Sequence, residues 1–106
     1  MSVAVDLSQL ADTLAAYPWG YLVSVGEHGR AHSLAVPTDY RDGSLHLVGG
    51  RSSRANVEAR PEVTMVFPHP LPGQYSLILD GVAAVHGESV VFTPSHAILH
   101  RPAIAG

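Results

Sequence analysis

No cysteine occurs in the 106 residues. That excludes disulfides, thiolate metal sites and cysteine nucleophiles, and with them a secreted disulfide scaffold. Lysine is absent too: all six basic residues are Arg, and the formal net charge is −3. No basic face is therefore available for nucleic acid or an anionic membrane, and neither is expected as a partner. Charged residues make up 14% of the chain against 46% hydrophobic ones. So little charge cannot cover a monomer's surface, which points to a buried subunit interface. Long apolar runs are also missing, because Gly, Pro, His or a charge interrupts each one short of the roughly 20 residues a membrane helix needs. The opening MSVAVDLSQLADTL has neither the basic n-region nor the continuous apolar stretch of a signal peptide. The expectation is a cytoplasmic protein with one domain over residues 1–106, since domains typically run to roughly 100–150 residues.

Periodicity supplies the elements. In residues 7–16 the apolar positions Leu7, Leu10, Ala11, Leu14 and Ala15 recur at helical spacing, with Asp6 or Ser8 as cap and Pro18 beyond the end. Residues 19–25, 31–40 and 45–48 are aromatic or β-branched runs parted by Glu27-His28-Gly29-Arg30 and Arg41-Asp42-Gly43. They read as three strands joined by hairpins. The small-residue loop Gly49-Gly50-Arg51-Ser52-Ser53-Arg54 leads into a short helix over 55–60 that stops at Pro61. Further strands are expected at 63–67, at 75–85 and at 90–92 with 97–99, the last interrupted near Pro94. Six strands in meander order with two short helices predict a mainly β fold. Its form is a closed antiparallel barrel, or an open half-barrel completed by a partner copy, because closure removes exposed edges.

Motifs for chemistry are sparse. There is no Gly-x-Ser-x-Gly, no close carboxylate pair and no P-loop, so any catalysis would rest on a cofactor. Gly50-Arg51-Ser52-Ser53-Arg54 brings backbone N–H groups, two hydroxyls and two guanidiniums to a helix N-terminus. The motif could hold a phosphate, but by itself it reads more readily as an ordinary exposed turn capped by Ser. His96 and His100, four apart among seven histidines, have no third ligand nearby in sequence, so no metal is expected. Trp19, Tyr21, Tyr40 and Tyr75 suit either a flat-ring site or core and dimer packing.

Taken in order, Gly20-Tyr21-Leu22-Val23-Ser24-Val25 with Gly29-Arg30, Leu45-His46-Leu47-Val48, the loop 51–54, Asn56-Val57 with Arg60-Pro61, and Asp80-Gly81-Val82-Ala83 resemble the pyridoxamine 5′-phosphate oxidase-like family. The closing Phe92-Thr93-Pro94-Ser95-His96 and Ala97-Ile98-Leu99-His100-Arg101-Pro102 resemble the last strand of its short members. The resemblance implies a six-stranded split β-barrel homodimer with two FMN sites at the interface. The related deazaflavin coenzyme is the alternative cofactor, and a chain that binds none is also possible. The implied activity is a flavin-dependent oxidoreductase acting on a small molecule. The alternatives are a deazaflavin-dependent reductase and a non-catalytic ligand-binding dimer. By the same resemblance, His32, Ser33, Leu34, Ala35, Val36 and Pro37 run beside the ring, and Val48 and Gly49 lie beneath it. Arg51, Ser52, Ser53 and Arg54 grip the phosphate, and Gln74, Tyr75 and Arg101 come from the second subunit. The resemblance assigns no catalytic residue. One departure stands out, in that Ser52 and Ser53 occupy the place where many members carry adjacent Arg and Lys.

Overall fold

Alternation of apolar and polar residues curls most of the chain into one antiparallel sheet in the computed structural model, which describes residues 1–103. The last three residues of the span expected for the domain lie outside that description. The strands are β1 (Ser2–Ala4), β2 (Trp19–Val25), β3 (Ala31–Pro37), β4 (Tyr40–Arg41), β5 (Ser44–Val48), β6 (Glu62–Phe67), β7 (Ser76–His86) and β8 (Ser89–His100). The helices are α1 (Leu10–Leu14) and α2 (Arg51–Ala59), with a 3₁₀ turn at Leu7–Gln9.

Strand number, strand order and both helix spans differ from expectation. The described residues form eight strands, not six, and the order β3-β2-β6-β7-β8-β5-β4 is not a meander, since β2 pairs with β6 and β5 with β8. β1 joins separately, against the end of β8. Of the two forms expected, the sheet takes the open half-barrel: β3 and β5 approach each other, but no ladder joins them among the described residues, leaving a seam. The first helix is shorter than the span 7–16, and the second begins at Arg51, so residues 51–54 are its opening turn and not a loop.

Inward positions build one core. Leu22, Leu45, Met65, Phe67, Leu77, Leu79, Val90 and Phe92 are fully buried, joined by Leu10, Leu14 and Tyr17 from the N-terminal segment. Each large side chain contributes about 1.5–3 kcal/mol by leaving water. Asp42 and Gly43 both hold positive φ, 53° and 80°. This is the two-residue turn that an Asp-Gly pair favours between twisted strands, and it fixes the β4–β5 hairpin.

β8 runs straight through Pro94 by means of a bulge. Asp80 pairs with His96 and Gly81 with Pro94, so Ser95 is the extra residue. Proline has no N–H for the ladder. A Cβ on Gly81 would stand 2.3 Å from the Thr93 carbonyl oxygen, so only glycine fits there. The bulge leaves Ser95 and His96, neighbours in sequence, both exposed.

Candidate functional site

Hydrogen-bond parity decides what the edge strand offers. Thr38 N–H donates to Pro18 O and Gly26 N–H to Arg30 O, and in the register between them Leu22 faces Leu34. Bonded pairs alternate along an antiparallel ladder, so His32, Leu34 and Val36 spend their backbone groups on β2. Ala31, Ser33 and Ala35 turn theirs to the seam. On the opposite bank, Gly49 N–H donates to Glu88 O and β5 pairs with β8 through Leu45 and Leu47, so Val48 also faces away from its ladder. Val48 is 72% exposed. The seam is thus lined on both sides by peptide groups that the sheet does not use, a ready set of donors and acceptors for a planar ligand.

Helix α2 spans one end of the barrel beside that seam. Ser53 and Val57, one turn apart, face inward and are buried. At the far end Arg60 Nε donates to Val25 O at 2.6 Å, and midway Asn56 Nδ2 donates to buried Ser24 Oγ at 3.2 Å. Its N-cap is Gly50, which has no side chain to cap it, and the first turn carries no acid. The opening N–H groups and the positive end of the dipole are thus left for an anion.

A cleft of about 960 Å³ lies between α2 and the β2–β3 hairpin, lined by Arg30, Ala31, His32, Ser52, Asn56 and Arg60 among others. It opens from the start of the β3 edge. Of the residues singled out in the sequence, His32 and Ser52 meet here, while Val48 and Gly49 lie at the seam. Arg51 is exposed on the first turn. Ser53 is wholly buried, and its Oγ has no partner among the described residues. Arg54 folds back over Gly49 and donates from its guanidinium to Gly87 O at 3.4 Å.

Gln74, Tyr75 and Arg101 gather elsewhere. The Arg101 guanidinium sits 4.7 Å from the Tyr75 ring centre, and Tyr17 Oη donates to Tyr75 O at 2.7 Å. From Ser76 to Val82, level with the end of α2, runs roughly 20 Å of strand. Within one chain this group does not meet the cleft. Burial pushes the Tyr17 phenol above its ordinary value. His96 faces Asp80 at 3.8 Å and His100 Nδ1 contacts Ser2 Oγ, so the two histidines serve separate partners. No group of three His, Cys, Asp or Glu with metal-binding spacing occurs among the described residues. No helix there is long and apolar enough to cross a membrane.

No family model matches the sequence. An uncharacterised protein of Mycobacterium bovis is 37% identical over 117 residues, covering 93% of this chain and 82% of that one, and one of Mycobacterium tuberculosis matches to the same extent. The chain belongs to their family. Three solved structures share its fold. A Listeria innocua protein named as a pyridoxamine 5′-phosphate oxidase aligns with a TM-score of 0.70 at 17% identity, over 88% of this chain and 96% of that one. An FAD-binding protein of Mycobacterium smegmatis gives 0.68 at 16%, over 95% and 100%. An F420 reductase gives 0.68 at 16%, over 81% and 94%. The fold is the split barrel of pyridoxamine 5′-phosphate oxidase-like proteins, mainly β with two short helices.

Sequence reasoning missed Arg30, Asn56 and Arg60. Arg30 and Arg60 were visible as cations, but nothing local says that a hairpin tip and a helix end face one cleft.

Proposed function

We propose that this chain is a flavin-type oxidoreductase subunit that holds the ring along the seam and the anionic end of the cofactor toward α2. The observation that carries this reading is the unpaired β3 edge, with Ala31, Ser33 and Ala35 presenting free peptide groups beside a cleft that contains two arginines. The fit is good for a ring and partial for a terminal phosphate. The α2 N-terminus is uncapped, and two of the three buried polar side-chain atoms without partners among the described residues, Ser53 Oγ and Arg54 Nε, lie in its first turn. The adjacent basic pair is absent.

Such a cofactor supplies hydride or electron transfer to a small-molecule substrate. The protein's part is to orient the ring by backbone hydrogen bonds and to keep water from its face. A homodimer completes the site in this reading. Trp19 and Tyr21, packed edge to face at 5.2 Å on the outer side of β2, are 40% and 37% exposed, and Val25 and Val82 extend the apolar surface. A face of this kind calls for a partner. A second copy there would lie against the outward side chains of β3, and its Gln74, Tyr75 and Arg101 are the groups left without a role in their own chain's cleft.

Freshly purified protein should carry, or take up, a flavin or the deazaflavin coenzyme, bleach under reductant and recover its colour on reoxidation. Protein that binds none of FMN, FAD and the deazaflavin would overturn the reading. One observation favours a second reading, a non-catalytic ligand carrier: Arg54 is committed to Gly87 and Ser53 to the interior, which weakens the phosphate grip. Coloured protein that does not reoxidise would support that alternative.

A further inference from the structure

We infer that the Asp80–His96 pair makes association of two copies of this chain pH-dependent, tight where His96 is protonated and weak where it is neutral. This rests on the homodimer of the reading above and goes beyond it, by naming the groups that control assembly.

Register puts the pair within an apolar surface. Tyr21 pairs with Val66, Val66 with Ile78 and Ile78 with Ile98, so one row of partly exposed apolar side chains crosses β2, β6, β7 and β8. Leu77, Leu79 and Ala97 alternate with that row and are buried, so the row stands on the outer face. Beside it runs the row Val23, Thr64, Asp80 and His96, and then Glu62, Val82 and Thr93. The bulge is what brings the histidine there. Strict alternation would turn residue 96 inward with buried Pro94, but the extra Ser95 shifts the phase, so Ala97 enters the core and His96 stands outward.

Asp80 Oδ1 accepts from Thr64 Oγ1 at 2.7 Å, and Oδ2 faces His96 Nδ1 at 3.8 Å. The Asp80 and His96 side chains are 57% and 60% exposed, and a copy docked on this face takes both out of water. Among the described residues Asp80 is the one carboxylate within 4 Å of the His96 ring. On the β6 side the further acid is Glu62, which lines a shallow hollow with Thr64, Asp80 and Ser95. On the β1 side Val5 N–H meets Ala97 O, and the carboxylate of Asp6 beyond it is taken by Ser8.

Charge selects the occupant. No Arg stands on β2, β6, β7 or β8, and His96 is the one histidine away from the ends of those strands. A copy related by a two-fold axis beside the pair returns the same acid and the same histidine, so the patch complements itself once His96 is charged. With His96 neutral, docking covers a carboxylate that has no cation to offset its lost hydration. Histidine is the side chain whose ordinary titration falls between pH 5 and 8. Association that tightens its hold on the proton takes up as many as two protons per dimer, one from each copy. It is strongest on the acid side of that titration and is lost as pH rises through it.

Sedimentation equilibrium of the full chain at pH 6 and pH 8 tests this. The dimer dissociation constant should be about ten- to hundredfold higher at pH 8, as loss of a charge-assisted contact implies. His96→Gln should give the weak pH 8 value at both, and Asp80→Asn should remove the weakening at pH 8. Both side chains are more than half exposed, so neither variant threatens the fold. A wild-type constant that is the same at both pH values would overturn the inference and leave the dimer standing. So would either variant keeping the wild-type dependence, which would place the titrating group elsewhere. A chain that is monomeric at both pH values throughout the micromolar range would remove the dimer, and the inference with it.

Discussion

Two proline substitutions one residue apart on β3 should have opposite consequences. Leu34 N–H donates to β2, opposite Leu22, whereas Ala35 N–H points to the seam. Leu34→Pro removes a ladder donor and strands the Leu22 carbonyl, at a cost of about 1–3 kcal/mol. It also loses a half-buried leucine packed on the core, which adds roughly 1–2 kcal/mol. A total near 3–4 kcal/mol corresponds to a fall in Tm of about 12–30 °C for a domain of this size. Ala35→Pro removes a donor that the fold does not use, in an edge strand where proline is tolerated, so its Tm should fall by less than about 8 °C. Its ring affinity should fall roughly two- to twelvefold, the worth of one neutral hydrogen bond. Thermal melts and flavin fluorescence titrations read both quantities. Equal unfolding by the two variants would refute the alternation argument. Unchanged ring affinity in Ala35→Pro would refute the use of the edge.

Gly81→Ala should cost about 3 kcal/mol, since its Cβ meets the Thr93 carbonyl at 2.3 Å and the buried Phe92 ring at 2.8 Å; a urea midpoint close to wild type would contradict the packing described. Tyr17 binds its proton more firmly folded than unfolded, so its contribution is intact below about pH 10 and fades as pH rises through the elevated folded value. Tyr17→Phe should therefore lower stability by about 1 kcal/mol at pH 8 and lose less than wild type between pH 9 and 11. Tyr21→Glu, on the exposed apolar face, should convert a sedimenting dimer to monomer, and a wild-type protein that is monomeric at micromolar concentration would remove the shared-site proposal.

Much of the sheet was legible. Strand β2 runs over Trp19–Val25 as its alternation indicates, and the Asp42-Gly43 turn announces its hairpin, because both are decided by neighbours in sequence. Other elements were not. α2 starts four residues earlier than propensity suggests because Gly50, Ser52 and Ser53 carry weak helical signals, and burial of Val57 against the barrel supplies the missing stabilisation. β1 and β4 are too short to carry a period and exist through their partners. Pro94 suggested a break, but a bulge with Gly81 opposite absorbs it. The seam and cleft are non-local in the same way. β3 to β5 and Arg30 to Arg60 are juxtapositions set by strand order, which no local pattern encodes.

The most direct measurement is an amide-resolved NMR titration of the full chain with a flavin-type ligand. Saturable shifts should appear first at Ala31, Ser33, Ala35 and Val48, whose N–H groups face the seam, with His32 and Leu34 moving less because β2 holds theirs. A ligand that binds without perturbing those four amides, or perturbs the even-numbered residues of β3 instead, would contradict the assignment of the seam as the ring site.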